Sequence, residues 1–273
     1  MISKKTSEKN LQLFTFPKDG KSSKNILDKG LLITFEGGEG SGKSTQCKRL
    51  VNKLVSEGVN SILVHEPGNT PMGEQVRKWI KSKSIKNPIA ETYLFWAARA
   101  ELCKAVIVPA LDKGITVIVD RFIHSTIAYQ GYGKGVPLDV IDQLNKITIK
   151  DLSPDLTILL DIDPDLSTQR INKNINIELS SLSNNNKKSK RENFEGNKYE
   201  NMSMSFHHKV RNGYLEMANE QRSSWSIVGA HQSESRVADS IWKRVKRLIE
   251  THKSNWELFI LPIINDFFIM IKS

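Results

Sequence analysis

The sequence predicts an α/β fold in three layers, a five-stranded parallel sheet with helices on both faces and a helical lid. Short apolar runs of strand length alternate with longer helical stretches, which is the signature of strand–helix–strand units. The runs are continuous instead of alternating with polar residues, as strands buried on both faces require. The first of them ends in a glycine cluster that leads straight into a helix.

The elements follow in order. Residues 31–36, Leu-Leu-Ile-Thr-Phe-Glu, form the first strand, and a helix over Lys43–Ser56 carries Leu50, Leu54 and Val55 on one side. Residues 61–64 give a second strand, and helices are expected over 71–82 and 89–112. Residues 115–120, Ile-Thr-Val-Ile-Val-Asp, make the cleanest strand, β-branched and bounded by Gly114. Helical patterns return at 123–130 and 138–148, and strands at 156–160 and 225–228, with helices between and after. There is no internal repeat. The Ser/Asn/Lys patch at 180–190 is too polar to join a core.

A chain of 273 residues with 38% hydrophobic residues and a mean hydropathy of −0.38 suits a soluble globular core with polar appendages. The net charge of +10 fits either a binder of nucleic acid or membrane surface, or an enzyme for anionic substrates with basic tails. Position favours the second. The excess sits in residues 1–29, with Lys4, Lys5, Lys9, Lys18, Lys21, Lys24 and Lys29, and in 172–191, with Lys173, Lys187, Lys188, Lys190 and Arg191. These are solvated segments, not one shaped basic face, so no specific nucleic-acid partner is expected.

Cys47 and Cys103 lack metal or disulfide spacing, which fits a reducing, cytoplasmic setting. The N-terminal segment has lysines but no apolar h-region. Residues 1–29 are therefore expected to be a disordered basic leader. A domain over 30–250 follows, with a lid near 165–200 that contains the polar insertion. The apolar extension over 251–273 is shorter than a membrane span and interrupted by Pro262, Asn265 and Asp266. Docking on the domain or a partner is the favoured reading of it, ahead of a peripheral membrane contact.

Gly37-Gly38-Glu39-Gly40-Ser41-Gly42-Lys43-Ser44 satisfies the P-loop pattern G-x-x-x-x-G-K-[ST], between the strand and helix it requires. Glycines let backbone N–H groups converge on phosphate oxygens. Lys43 supplies a charge to the β- and γ-phosphates, and Ser44 a hydroxyl for Mg²⁺. Residues Gly37 to Thr45 are the expected ATP cradle. Asp120 and Arg121 end the cleanest strand, at the sheet edge where ligands of open α/β sheets bind. Asp120 is placed to hold Mg²⁺ through water, and Arg121 to grip phosphate in a planar fork.

Four stretches in register then resemble the motifs of thymidylate kinases. They begin at Phe35-Glu-Gly with Gly-Ser-Gly-Lys-Ser-Thr-Gln46, and continue with Glu66-Pro-Gly-Asn-Thr-Pro-Met-Gly-Glu-Gln-Val-Arg77. Glu91-Thr-Tyr-Leu-Phe-Trp-Ala-Ala-Arg-Ala-Glu101 and Asp120-Arg-Phe-Ile-His-Ser-Thr-Ile-Ala-Tyr-Gln-Gly131 complete the set. The similarity runs from about Gly30 to Leu248 and is interrupted near 172–193. It implies ATP-dependent phosphorylation of dTMP to dTDP, with Mg²⁺, in a homodimer. By position it implies that Phe95 stacks on thymine and that Arg99 meets the pyrimidine carbonyls. Arg77 and Arg121 hold the acceptor phosphate, while Ser125, Thr126, Tyr129 and Gln130 read the base edge and crowd the sugar 2′ position. Glu66 and Glu39 stand where the family has acids near the metal and acceptor phosphate.

The family draws a catalytic arginine either from the P-loop or from the lid. Gly40 and Ser41 occupy the P-loop here, so the resemblance is to the bacterial, lid-arginine type, with Arg170 and Arg191 as candidates. Departures are His65, where the family often has arginine, Asn69 in place of a glycine, and the polar stretch in the lid. A kinase for another nucleoside monophosphate, and a nucleotide-binding protein that has lost catalysis through its lid, are the alternatives.

Overall fold

The computed structural model describes residues 14–15, 27, 29–82, 84–180 and 198–271. The sheet has six strands: β1 (Phe14–Thr15), β2 (Leu32–Glu36), β3 (Ser61–His65), β4 (Thr116–Asp120), β5 (Leu156–Asp161) and β6 (Trp225–Gly229). Their order is β1-β3-β4-β2-β5-β6, and every pairing is parallel except that of β1 on β3. The five expected strands are present within a residue of their expected bounds. The sixth is new: two residues of the leader add antiparallel to the outer edge of β3. Leu27 is buried in the core, and a side chain at Gly30 would collide with the Ile115 carbonyl, so the packed domain begins before residue 30. The rest of the leader lies outside the described residues.

Two-sided burial explains the continuous apolar strands. Ile33, Phe35 and Ile118 face one layer, formed by α1 (Lys43–Ser56) and α9 (Glu234–Ile271). Leu32, Val117 and Val119 face the other, where Leu102, Ile107 and Leu111 pack from the α3–α4 helix. That helix runs as α3 (Pro88–Leu102), a π-turn (Cys103–Ile107) and α4 (Val108–Leu111). Between these, α2 (Pro71–Lys81) follows β3; Thr70 caps it by accepting from Gly73 N, and Asn87 caps α3 likewise. A second π-turn (Ile127–Gly133) continues α5 (Ile123–Thr126), where a plain helix is expected from the sequence. The remaining helices are α6 (Leu138–Ile149), α7 (Pro164–Ser180) and α8 (Met204–Glu220).

Helix α9 runs on through the apolar C-terminal extension to Ile271. What residues 253–271 pack against lies outside the described residues, as does the insertion at 181–197. Among the described residues no helix is long and apolar enough to cross a membrane.

Register sets the site. Phe35 and His65 both pair with Asp120, so β2, β3 and β4 end on one row. The P-loop, Glu66 and Arg121 therefore leave the sheet side by side at its C-terminal edge.

Candidate active site

The P-loop curls around its own backbone. Gly37, Gly40 and Gly42 have φ of 139°, 67° and 89°, conformations that a Cβ would strain. Lys43 Nζ donates to Gly38 O at 2.6 Å and to Ser41 Oγ at 3.1 Å, so it points into the ring of the loop. Burial, then the neighbouring Arg121, push Lys43 down to about 8. Ser44 Oγ donates to Asp120 Oδ2 at 2.5 Å, bringing together the two oxygens expected at a metal. Both line one large cleft with Thr45 and Arg170.

Arg121 is the pivot of the edge. Its φ of 71° turns the chain sharply after β4. The guanidinium donates to Gly37 O at 3.0 Å and to Glu39 Oε1 at 2.8 Å, and lies 5.0 Å over the Tyr129 ring. Tyr129 also donates to Glu39 Oε1, at 3.0 Å. Burial raises the Glu39 carboxyl, but Arg121 and Lys43 outweigh it and hold Glu39 below the usual carboxylate range. Glu39 and Arg121 border both the cleft beside the P-loop and a second cavity, described next.

That second cavity, about 150 Å³, is lined by Glu66, Arg77, Phe95, Arg99, Arg121, Ser125, Thr126, Tyr129 and Gln130. All nine residues expected around the acceptor nucleotide thus meet in one place. Arg99 is buried and pairs with Glu66, its Nε donating to Oε2 at 2.8 Å. Its Nη2 donates to Thr126 Oγ1 at 2.8 Å, whereas its Nη1 is buried with no partner. A buried donor without an acceptor is costly unless a ligand supplies one. Arg77 donates to Pro67 O at 3.2 Å from the cavity wall. Asn69 takes the left-handed conformation, φ 60°, that a glycine would supply there; His65 N donates to its side chain at 2.6 Å and closes the turn.

Several participants were not singled out from the sequence. Glu36, the last residue of β2, is fully buried and accepts from Phe122 N at 2.9 Å, Ser125 Oγ at 2.6 Å and Tyr214 Oη at 3.1 Å. Burial, only partly opposed by these bonds and by Arg121, pushes it up to about 7. A charged residue closing an otherwise apolar strand is the signal that was there to read. Lys198 and Tyr199, just after the insertion, form a further part of the cavity wall. Arg211 on α8 is committed to Asp161 at 2.8 and 3.0 Å and to Asp163 at 3.2 Å. Of the two lid candidates, Arg170 borders the P-loop cleft and donates to Ala230 O at 3.0 Å. Arg191 lies outside the described residues.

Fold and site together define a P-loop phosphotransferase of the nucleotide kinase class: a phosphate-binding loop and a base-sized cavity that share four charged lining residues, Glu39, Glu66, Arg77 and Arg121. The family model described as Thymidylate kinase matches residues 35–241. The thymidylate kinase of Chlorobium chlorochromatii is 38% identical over 226 residues, 82% of this chain and 98% of that protein. That of Geotalea daltonii is 40% identical over 213 residues, covering 77% and 94% of the two chains. The crystal structure of thymidylate kinase from Ehrlichia chaffeensis superimposes with a TM-score of 0.61 at 31% identity, over 80% of this chain and 99% of its own. The chain belongs to the thymidylate kinase family.

Proposed function

We propose that this protein transfers the γ-phosphate of ATP to the 5′-phosphate of dTMP, yielding dTDP and ADP in the supply of dTTP. One observation carries the reading: the cavity that gathers the nine expected acceptor residues shares Glu39, Glu66, Arg77 and Arg121 with the P-loop cleft. An acceptor phosphate beside Arg121 and Arg77 thereby faces a donor phosphate beside Lys43.

The chemistry asks little covalent work of the protein. An oxygen of the dTMP phosphate, already anionic at neutral pH, attacks the γ-phosphorus; the bond to the β–γ bridging oxygen breaks and ADP leaves. No general base is needed. Lys43, Arg121 and Arg77 position the two phosphates and offset the charge that builds between them. Arg170, next to the donor cleft, is assigned to the donor phosphates, with Arg191 as the second candidate. Ser44 and Asp120 are hard oxygen donors brought together at the cleft and would hold Mg²⁺, Asp120 through water. Bound there, Mg²⁺ supplies charge neutralisation to the β- and γ-phosphates. Phe95 and Arg99 place the base, and Tyr129, braced between Glu39 and Arg121, narrows the space beside the sugar. The protein works as a homodimer in the cytoplasm, a setting that suits its buried free thiols Cys47 and Cys103.

The test is ATP consumption measured with each nucleoside monophosphate in turn. The expected result is the highest kcat/KM on dTMP, falling roughly 10²–10³-fold in Arg121→Ala, the range for removal of one group aimed at developing charge. Faster turnover of any other monophosphate refutes the substrate assignment, and an active Arg121→Ala refutes the mechanism.

A further inference from the structure

Glu91, in the first turn of α3, has no part in the roles assigned so far, although it is 1% exposed and sits behind the base cavity. Its carboxylate accepts from Gln130 Nε2 at 2.9 Å, from the Tyr199 hydroxyl, and from the ammonium groups of Lys134 and Lys198. Burial raises this carboxyl, but the bonds from Lys134, Lys198 and Tyr199 outweigh burial and leave it below the usual range. It is therefore ionised, and an ionised carboxylate can only accept.

That settles which way the Gln130 amide points. The side facing Glu91 has to be the NH₂ group. Its second hydrogen meets the Tyr199 oxygen at 2.8 Å, and the Tyr199 proton is already given to Glu91. Turned over, the amide would set its oxygen against a carboxylate and against a hydroxyl with no proton to offer. With both N–H groups engaged, the polar atom left to Gln130 is Oε1, an acceptor, on a side chain that lines the cavity.

We propose that Glu91 is a positioning residue for base specificity: it locks the Gln130 amide so that an acceptor faces the bound base. The inference rests on the reading that this cavity takes dTMP. Thymine offers a donor, N3–H, beside the C4 carbonyl acceptor. Cytosine inverts the pair, with a bare N3 beside an amino group. A fixed Oε1 complements the first and opposes the second. Arg99, about two helical turns after Glu91 on α3, adds to the discrimination: it is tied to Thr126, and its unpartnered Nη1 suits a carbonyl and repels an amine.

The test compares dTMP with 5-methyl-dCMP, which differ only along the N3–C4 edge, using the full-length protein. The ratio of their kcat/KM values is measured in the unmodified chain, in Glu91→Gln, in Glu91→Gln with Lys134→Met, and in Lys134→Met alone. A carboxamide at 91 has both a donor and an acceptor, so the Gln130 amide is free to turn. The expected result is a preference for dTMP that drops about tenfold or more in both variants lacking the carboxylate, the scale of a lost polar match. In Lys134→Met the acceptor remains and the ratio holds. The double variant removes the carboxylate together with one of its two cations, and carries the test if Glu91→Gln alone shows no cooperative melt. Equal losses on both substrates would mean that Glu91 only fastens Lys198 and Tyr199, and would overturn the proposal, as would a ratio that falls as far in Lys134→Met. If the unmodified chain ignores dTMP, the functional reading fails first, and visibly, before any variant is compared.

Discussion

At the scale of single residues, the site is a set of carboxylates holding hydrogen-bond donors, two arginines and three hydroxyls, in place for a ligand. Glu39 holds Arg121 and Tyr129, Glu66 holds Arg99, and Glu36 holds Ser125 and Tyr214. The ligand-facing members were legible in the sequence because motif order marks them. The acids behind them were not, apart from Glu39 and Glu66. A buried carboxylate is recognisable only once its donors are known, and the donors of Glu36 and Glu91 come from distant parts of the chain. Glu36 also gives the fold a pH signature. Its folded-state value, about 7, lies above the ordinary 4.5, so the folded chain binds this proton more tightly than the unfolded one. The stability it contributes is complete below about 4.5 and is lost as pH rises through about 7. Urea midpoints measured from pH 4.5 to 7.5 are expected to fall with pH in the unmodified chain and to flatten in Glu36→Gln. Equal slopes in the two would remove Glu36 as the source.

At the scale of elements, strand positions came through within a residue because continuous β-branched runs leave no competing period. The two π-turns did not, since one extra residue per turn keeps the apolar spacing of a helix nearly intact. The turn at Ile127–Gly133 matters to the site: it carries Tyr129 and Gln130, and it packs Tyr129 against Phe206 and Tyr214 of α8. Two glycines make that contact close. A Cβ on Gly133 would stand 2.5 Å from the Phe206 ring, and one on Gly213 would stand 2.5 Å from the Tyr132 ring and 3.0 Å from Tyr132 Cβ. The second clash involves the root of a side chain, which cannot swing aside. Gly213→Ala is therefore expected to cost about 1–3 kcal/mol, the range for overpacking, in chemical denaturation. An unchanged midpoint would mean that α8 can shift away from the π-turn without loss.

At the scale of the whole molecule, the basic charge of the sequence lies mainly in residues 1–29 and 172–191, most of which are outside the described residues, while the sheet edge gathers acids and bases side by side. The leader is not wholly separate, however. Its residues 14–15 lengthen the sheet, and Leu27 is buried with Leu31, Leu54 and Val59. Neither was legible, because a two-residue strand and a single leucine carry no period. Leu27→Ala is expected to destabilise the protein by about 2–3 kcal/mol, as emptying a core leucine site does. A loss below about 0.5 kcal/mol, the usual effect of a surface change, would show that residue 27 is peripheral.

The stretch at 181–197 is bounded by fixed points. Before it, Ser167 donates to Glu39 O and Arg170 to Ala230 O; after it, Lys198 and Tyr199 are moored on Glu91. Lengthening a connection whose ends are already held adds little free energy, since closure entropy grows only with the logarithm of length. Among descendants of this gene, then, a change of length in that stretch that spares Arg191 is expected to leave the walls of the base cavity where they are.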